Sequence, residues 1–147
     1  MFIDSSAFLA ILGNGPDAAL LVEKTKGSRR PCKTSASVRL DVVMALADSR
    51  ADTRGASAEA VEQATEIFEN LLQILKVYEV AISPRIAADG CRLAARFGQQ
   101  ADHPAKLTVQ TCLALAAAES LRLPVLHSNP SIDRVTEQDW AAWRTGD

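Results

Sequence analysis

The chain has 147 residues, 48% of them hydrophobic and 23% charged, with a formal net charge of −2. That length fits one domain, expected over 1–147, and such a chain buries roughly 70% of its unfolded surface without needing a metal or disulfide staple. The slight acidity argues against a general, charge-driven nucleic-acid binder, and no apolar run reaches the ~18 residues of a membrane span. No basic region precedes an apolar core at the N-terminus, so no signal peptide is expected. Cys32, Cys91 and Cys112 form no CxxC pair. Neither a disulfide frame nor a zinc site is implied, and a reducing, cytoplasmic setting is expected.

The first stretch, Met1 to Leu9, runs from apolar residues into Asp4, then Ser5 and Ser6, then apolar residues again. This predicts a buried strand ending in a carboxylate, with serines that start a helix. Ligands of open parallel sheets sit beyond the carboxyl ends of the strands, which places Asp4 where chemistry occurs. A second reading makes Asp4 a simple helix cap, and both stay open on this stretch alone.

Ala7 to Leu12 predicts a short buried helix, broken at Gly13-Asn14-Gly15. Pro16-Asp17 opens a second helix running to about Lys26, because proline suits a first turn and an acid suits the positive end of the dipole. Lys24, Lys26, Arg29, Arg30 and Lys33 form the densest run of cations, expected as a solvated loop. Pro31 to Ser37 predicts a strand and turn, and Val38 to Ala47 a helix with Val38, Asp41, Val42 and Ala45 on neighbouring faces. An acid on an apolar stripe is costly unless paired or turned to a polar cleft, which singles out Asp41; a dipole-favoured acid near a helix start is its other reading.

Ser49 to Gly55 is a polar connection. Ala56 to Leu75 is the clearest helix, with Val61, Ala64, Phe68, Leu71 and Leu75 as its stripe and four glutamates outside it. Val77 to Ile82 predicts a strand and Arg85 to Phe97 a helix. A polar loop carries His103, Leu107 to Leu121 is helical, and Leu123 to His127 is a strand. Ser128 to Ser131 starts a short helix. The tail, 136–147, carries Trp140 and Trp143 and has no pattern that places it. Strands alternating with helices give an α/β domain with a mainly parallel sheet. There is no GxGxxG, GxxxxGK[ST] or GxSxG.

Phe2-Ile3-Asp4-Ser5-Ser6-Ala7, the segment Thr34 to Ala47, and Val77 to Phe97 followed by His103-Pro104-Ala105-Lys106-Leu107 together resemble the PIN-domain family, and within it the VapC-type toxins of bacterial toxin–antitoxin pairs. The resemblance covers nearly the whole chain. It implies a three-layer α/β/α fold and cleavage of RNA at a Mg²⁺ or Mn²⁺ site built from three or four carboxylates, since a hard cation wants oxygen ligands. It also implies a homodimer and an antitoxin-like partner, with Phe8, Leu9, Leu20 and Leu21 as candidate contacts.

By this resemblance Asp4 stands at the first acid and Asp41 at the second, where the family usually has glutamate. Thr111 stands at the third acid and Ser131 at the fourth, so two of the four positions are neutral hydroxyls. Ser6, Thr111, Asn129 and Ser131 are then secondary site positions. Asp133 lies about 200° round a helix from Ser131, a poor substitute. His103 is expected to order its loop, and His127 to end its strand. Three readings follow: a metal-dependent endoribonuclease with a weakened site, a PIN-like protein that acts by binding an antitoxin-like partner, itself or RNA, and an unrelated doubly wound enzyme for which no second catalytic constellation is found.

Overall fold

The computed structural model describes residues 1–50 and 55–146. It is an α/β domain whose strands, β1 (Phe2–Ile3), β2 (Cys32–Ser35), β3 (Val77–Val80) and β4 (Val125–Leu126), form one parallel sheet in the order β3-β2-β1-β4. Its helices are α1 (Ser5–Leu12), α2 (Ala18–Lys26), α3 (Ala36–Ser49), α4 (Ala58–Leu75), α5 (Pro84–Phe97), α6 (Val109–Ser120), α7 (Pro130–Asp133) and α8 (Glu137–Thr145). The chain steps outward from β1 to β3, then returns across the sheet to β4. With right-handed crossovers that reversal puts α1 to α4 on one face and α5 and α6 on the other, the three-layer arrangement expected. Among the described residues no helix is long and apolar enough to cross a membrane.

Hydroxyls and acids set the helix starts. Ser35, Ser57, Ser83, Thr108 and Thr136 each accept a bond from a backbone N–H in the first turn of the helix that follows. These caps satisfy donors that the helix itself cannot. They also explain why α3 starts at Ala36, ahead of the expected Val38, and α5 at Pro84, directly after its cap. The strands are shorter than their apolar runs: β3 stops at Val80 and β4 covers only Val125 and Leu126. Of the polar connection expected from Ser49 to Gly55, residues 51–54 lie outside the described residues.

The core forms around β1. Phe2 and Ile3 are fully buried, and Phe8 of α1 meets Phe68 of α4 edge-on at 5.0 Å. From the expected α4 stripe Ala64, Phe68 and Leu75 are buried, joined by Leu72, while Val61 and Leu71 pack at its margin. On the other face α5 and α6 run antiparallel in close contact. A Cβ at Gly90 would lie 3.2 Å from the Leu113 side chain and 3.4 Å from its Cα, so any larger residue there would make the Leu113 side chain shift by a few tenths of an ångström.

The tail finds its place against this second layer. Thr136 and Asp139 form a reciprocal capping box that starts α8. Trp140 then packs on Phe97 at 6.1 Å and on Trp143 at 5.9 Å, and Arg92 stacks over Trp143. The hydrogen bonds from Thr136 hold the Asp139 carboxyl below the usual aspartate range.

Candidate active site

The sheet reverses between β1 and β4, and their carboxyl ends carry Asp4 and the segment His127-Ser128. This is the switch point at which parallel sheets hold ligands. Asp4 is 1% exposed. Its Oδ2 accepts both the Ser6 N–H at 3.1 Å and the Ser6 hydroxyl at 2.6 Å, capping α1. Its Oδ1 is buried and has no hydrogen-bond partner among the described residues. The two readings of Asp4 therefore divide between two atoms of one carboxylate: one oxygen caps a helix, and the other is committed to nothing among the described residues. A buried acceptor left unpaired costs about 1–3 kcal/mol, which a local structural role does not explain.

A polar chain extends from Asp4 to β4. Ser6 Oγ accepts the Ser128 N–H at 3.1 Å, and the Ser128 hydroxyl donates to Asp17 Oδ2 at 2.9 Å. Asp17 precedes α2 but makes no capping bond with it, since its carboxylate is turned to Ser128 instead. Neither Asp17 nor Ser128 stands out in the sequence as a site residue. Asp17 reads as a helix-opening acid and Ser128 as part of a cap signal, and no local spacing foretells a bond across 111 positions.

The remaining candidates lie on α3, α6 and the start of α7. Asp41 is half-buried in α3, which leaves the carboxyl end of β2, and makes no hydrogen bond or ion pair among the described residues. Thr111 is buried in the first turn of α6, its hydroxyl 2.9 Å from that of Thr108. Asn129 caps α7 by accepting the Ser131 N–H at 3.0 Å, so Asn129 and Ser131 are tied to each other. Ser35 and Ser37 share a hydroxyl contact at 2.9 Å, and Thr34 Oγ1 donates to the Ile3 carbonyl beside Asp4. The start of α1 follows β1 directly, and that of α3 follows β2, so backbone N–H groups and positive dipole ends collect at this edge.

Asp133 does not turn inward. It is exposed and lies 3.6 Å from His127 Nε2, while His127 Nδ1 accepts the Asn129 N–H. His103 orders its loop: Nδ1 accepts the Ala105 N–H at 3.1 Å, and the ring packs edge-on to Phe97. Of the proposed partner contacts, Phe8 and Leu21 are core residues, Leu9 is half-buried, and Leu20 is exposed.

The donors at this edge are hard oxygens, the type that suits Mg²⁺ or Mn²⁺, and Asp4 Oδ1 is an acceptor without a donor. Among the described residues no three His, Cys, Asp or Glu side chains gather closely enough to hold a metal by themselves.

No family model matches the chain. A VapC ribonuclease of Rhizobium meliloti is 30% identical over 129 residues, which cover 86% of this chain and 91% of that protein.

Proposed function

The chain belongs to the PIN-like VapC ribonucleases, and from that premise we propose that it is a metal-dependent endoribonuclease whose metal site is weaker than a four-acid site. The observation that supports this reading is the buried, unpartnered Oδ1 of Asp4 at the switch point. Asp4 and Asp41 would hold Mg²⁺ or Mn²⁺, with Ser6, Thr111, Asn129 and Ser131 as neutral neighbours. When bound, such an ion polarises a phosphate and makes a bound water more acidic.

The chain's own residues supply the positioning. Ser6 fixes the Asp4 carboxylate through two bonds, so its free oxygen is aimed before any ligand arrives. The Ser6–Ser128 bond keeps the β1 and β4 edges in register. The N-termini of α1 and α3 attract the phosphate of an RNA backbone. Thr111 and Ser131 remove two negative charges from the family pattern, which lowers the attraction for a divalent cation.

Incubating the protein with RNA and Mn²⁺, beside Asp4→Ala and Asp4→Asn, tests this. Slow, Mn²⁺-dependent cleavage lost in both variants is expected. Cleavage that survives both substitutions would sink the proposal.

The scarcity of gathered carboxylates favours one second reading: a PIN-like protein that has lost catalysis and acts by binding. Absence of both cleavage and Mn²⁺ binding would select it. Under the first reading the partner is an antitoxin-like protein, and under the second it is an antitoxin-like partner, a second copy of the chain or RNA; a homodimer in the cytoplasm is the proposed assembly. The exposed Leu20 is the one candidate contact with most of its surface available. Co-purification with the product of a small neighbouring reading frame tests the pairing.

A further inference from the structure

At the opposite end of the sheet, below the amino ends of β2 and β3, lies a cavity of about 470 Å³ lined by Lys26, Arg29, Arg30, Lys76, Ile74 and Tyr78, among others. Lys33 adds a further cation, its Nζ 5.1 Å from the centre of the Tyr78 ring. None of Lys26, Arg29, Arg30, Lys33 and Lys76 makes an ion pair among the described residues, whereas Arg39, Arg92 and Arg144 are each paired with an acid. In a chain of net charge −2 this is an uncompensated local excess of positive charge.

Helix chemistry explains part of it. Lys24 and Lys26 occupy the last turn of α2, where cations complement the dipole. Arg29, Arg30 and Lys33 lie beyond that turn. Their loop is shaped by the Ser28 hydroxyl, which donates to the Arg30 carbonyl at 2.7 Å. Lys76 ends α4 with a left-handed backbone, φ +53°, where glycine would sit without strain. A cation is thus kept at a position whose conformation favours another residue. Tyr78 is 55% exposed on the sheet edge beside these cations, and Ile74 is 66% exposed.

Unpaired guanidinium and ammonium groups around an exposed aromatic ring match one chemistry well: phosphates held by the cations while a base stacks on the ring. We propose that this cavity binds single-stranded RNA away from the acids, and so holds substrate without taking part in its cleavage. The choice of RNA over another polyanion rests on the ribonuclease reading above. An acidic peptide would use the same cations but would gain nothing comparable from a stacked tyrosine.

The test is fluorescence anisotropy of a labelled oligouridylate in EDTA, where no cleavage occurs, over a range of salt. Arg29→Ala/Arg30→Ala should weaken binding about tenfold and flatten the salt dependence by roughly 0.7 per lost phosphate contact. Tyr78→Ala should weaken binding several-fold with the salt slope unchanged. Lys76→Gly should weaken binding while its melting temperature holds or rises, so that loss of fold cannot account for the effect. With Mn²⁺ present, the same variants should raise KM for RNA and leave kcat near wild type.

Wild-type affinity in the arginine and tyrosine variants would overturn the proposal. So would displacement of the RNA by polyglutamate together with indifference to Tyr78→Ala, which would assign the surface to an acidic protein segment. RNA binding that responds to these variants without any cleavage would leave this inference standing and remove the nuclease reading. Cleavage with unchanged KM in the variants would do the reverse.

Discussion

The two ends of the sheet hold opposite charge for different reasons. At the carboxyl end of β1, helix starts and acids coincide: Asp4 caps α1 and Asp17 precedes α2. Acids there agree with the helix dipoles, so charge alone would mark nothing. What departs from local helix chemistry is atomic, the unpaired Asp4 Oδ1 and the diversion of Asp17 from its helix to Ser128. At the amino ends of β2 and β3, Lys24 and Lys26 again agree with a dipole, but Arg29, Arg30 and Lys33 exceed it. At both ends, the charges that stand apart are those left over once helix capping and dipoles are accounted for.

The sharpest way to break this contrast is at Asp4. Asp4→Ala is expected to abolish Mn²⁺-dependent cleavage, measured by RNA electrophoresis. It should nonetheless cost under about 1 kcal/mol in denaturant melts, because loss of the cap is offset by removal of the unpaired Oδ1.

Next in size is a gain. Thr111→Asp should raise Mn²⁺ affinity and cleavage at least about tenfold, the reach of one strong added contact. Thr108 caps α6 by accepting the Thr111 N–H, a backbone bond that the substitution leaves in place, so the helix start should tolerate it. Calorimetry with Mn²⁺ decides the matter, and an affinity unchanged by the new acid would refute the weakened-site reading.

A smaller effect is expected from Ser128→Ala, which cuts the link to Asp17 and leaves the backbone bond to Ser6 in place. Cleavage should fall a few-fold with stability changed by less than about 1 kcal/mol. Among the thiols, burial pushes Cys112 up to about 11. Cys112 and the equally buried Cys32 should resist alkylation at neutral pH until the protein unfolds, while the exposed Cys91 reacts promptly. Mass spectrometry after brief iodoacetamide treatment measures this.

The smallest effect concerns the tail. The folded carboxyl of Asp139 is held below its ordinary value, so its contribution is present above the usual aspartate range and lost as pH falls through the lowered value. Acid titration of tryptophan fluorescence should show a step that Asp139→Asn removes.

Much of the fold was legible because its signals are local and repeated. Hydroxyl caps, the α4 stripe and the alternation of strands with helices are all read within a few residues. The strand ends were not, since apolar runs such as Val77 to Ile82 register burial, whereas a ladder needs a partner strand alongside. Trp140 and Trp143 lie three apart on a helix too short to show a period, and their partner Phe97 is distant in sequence. At the site, Asp4 was visible as a strand-end acid. Its division into one bonded and one free oxygen was not, because that depends on Ser6 and on enclosure by the fold. Asp17 was hidden for the same kind of reason: only the return of β4 brings Ser128 to it.

Strand β1 is two residues long, and its pairing with β4 is equally brief, flanked by bonds from the Phe2 N–H to the Pro124 carbonyl and from the Asp4 N–H to the Leu126 carbonyl. The candidate catalytic acid thus donates its own amide to the last strand. Exchange of that single amide with deuterated solvent becomes a clock for the undocking of the C-terminal segment. Slow exchange at Asp4 reports a closed edge, and any molecule that loosens β4 announces itself there first.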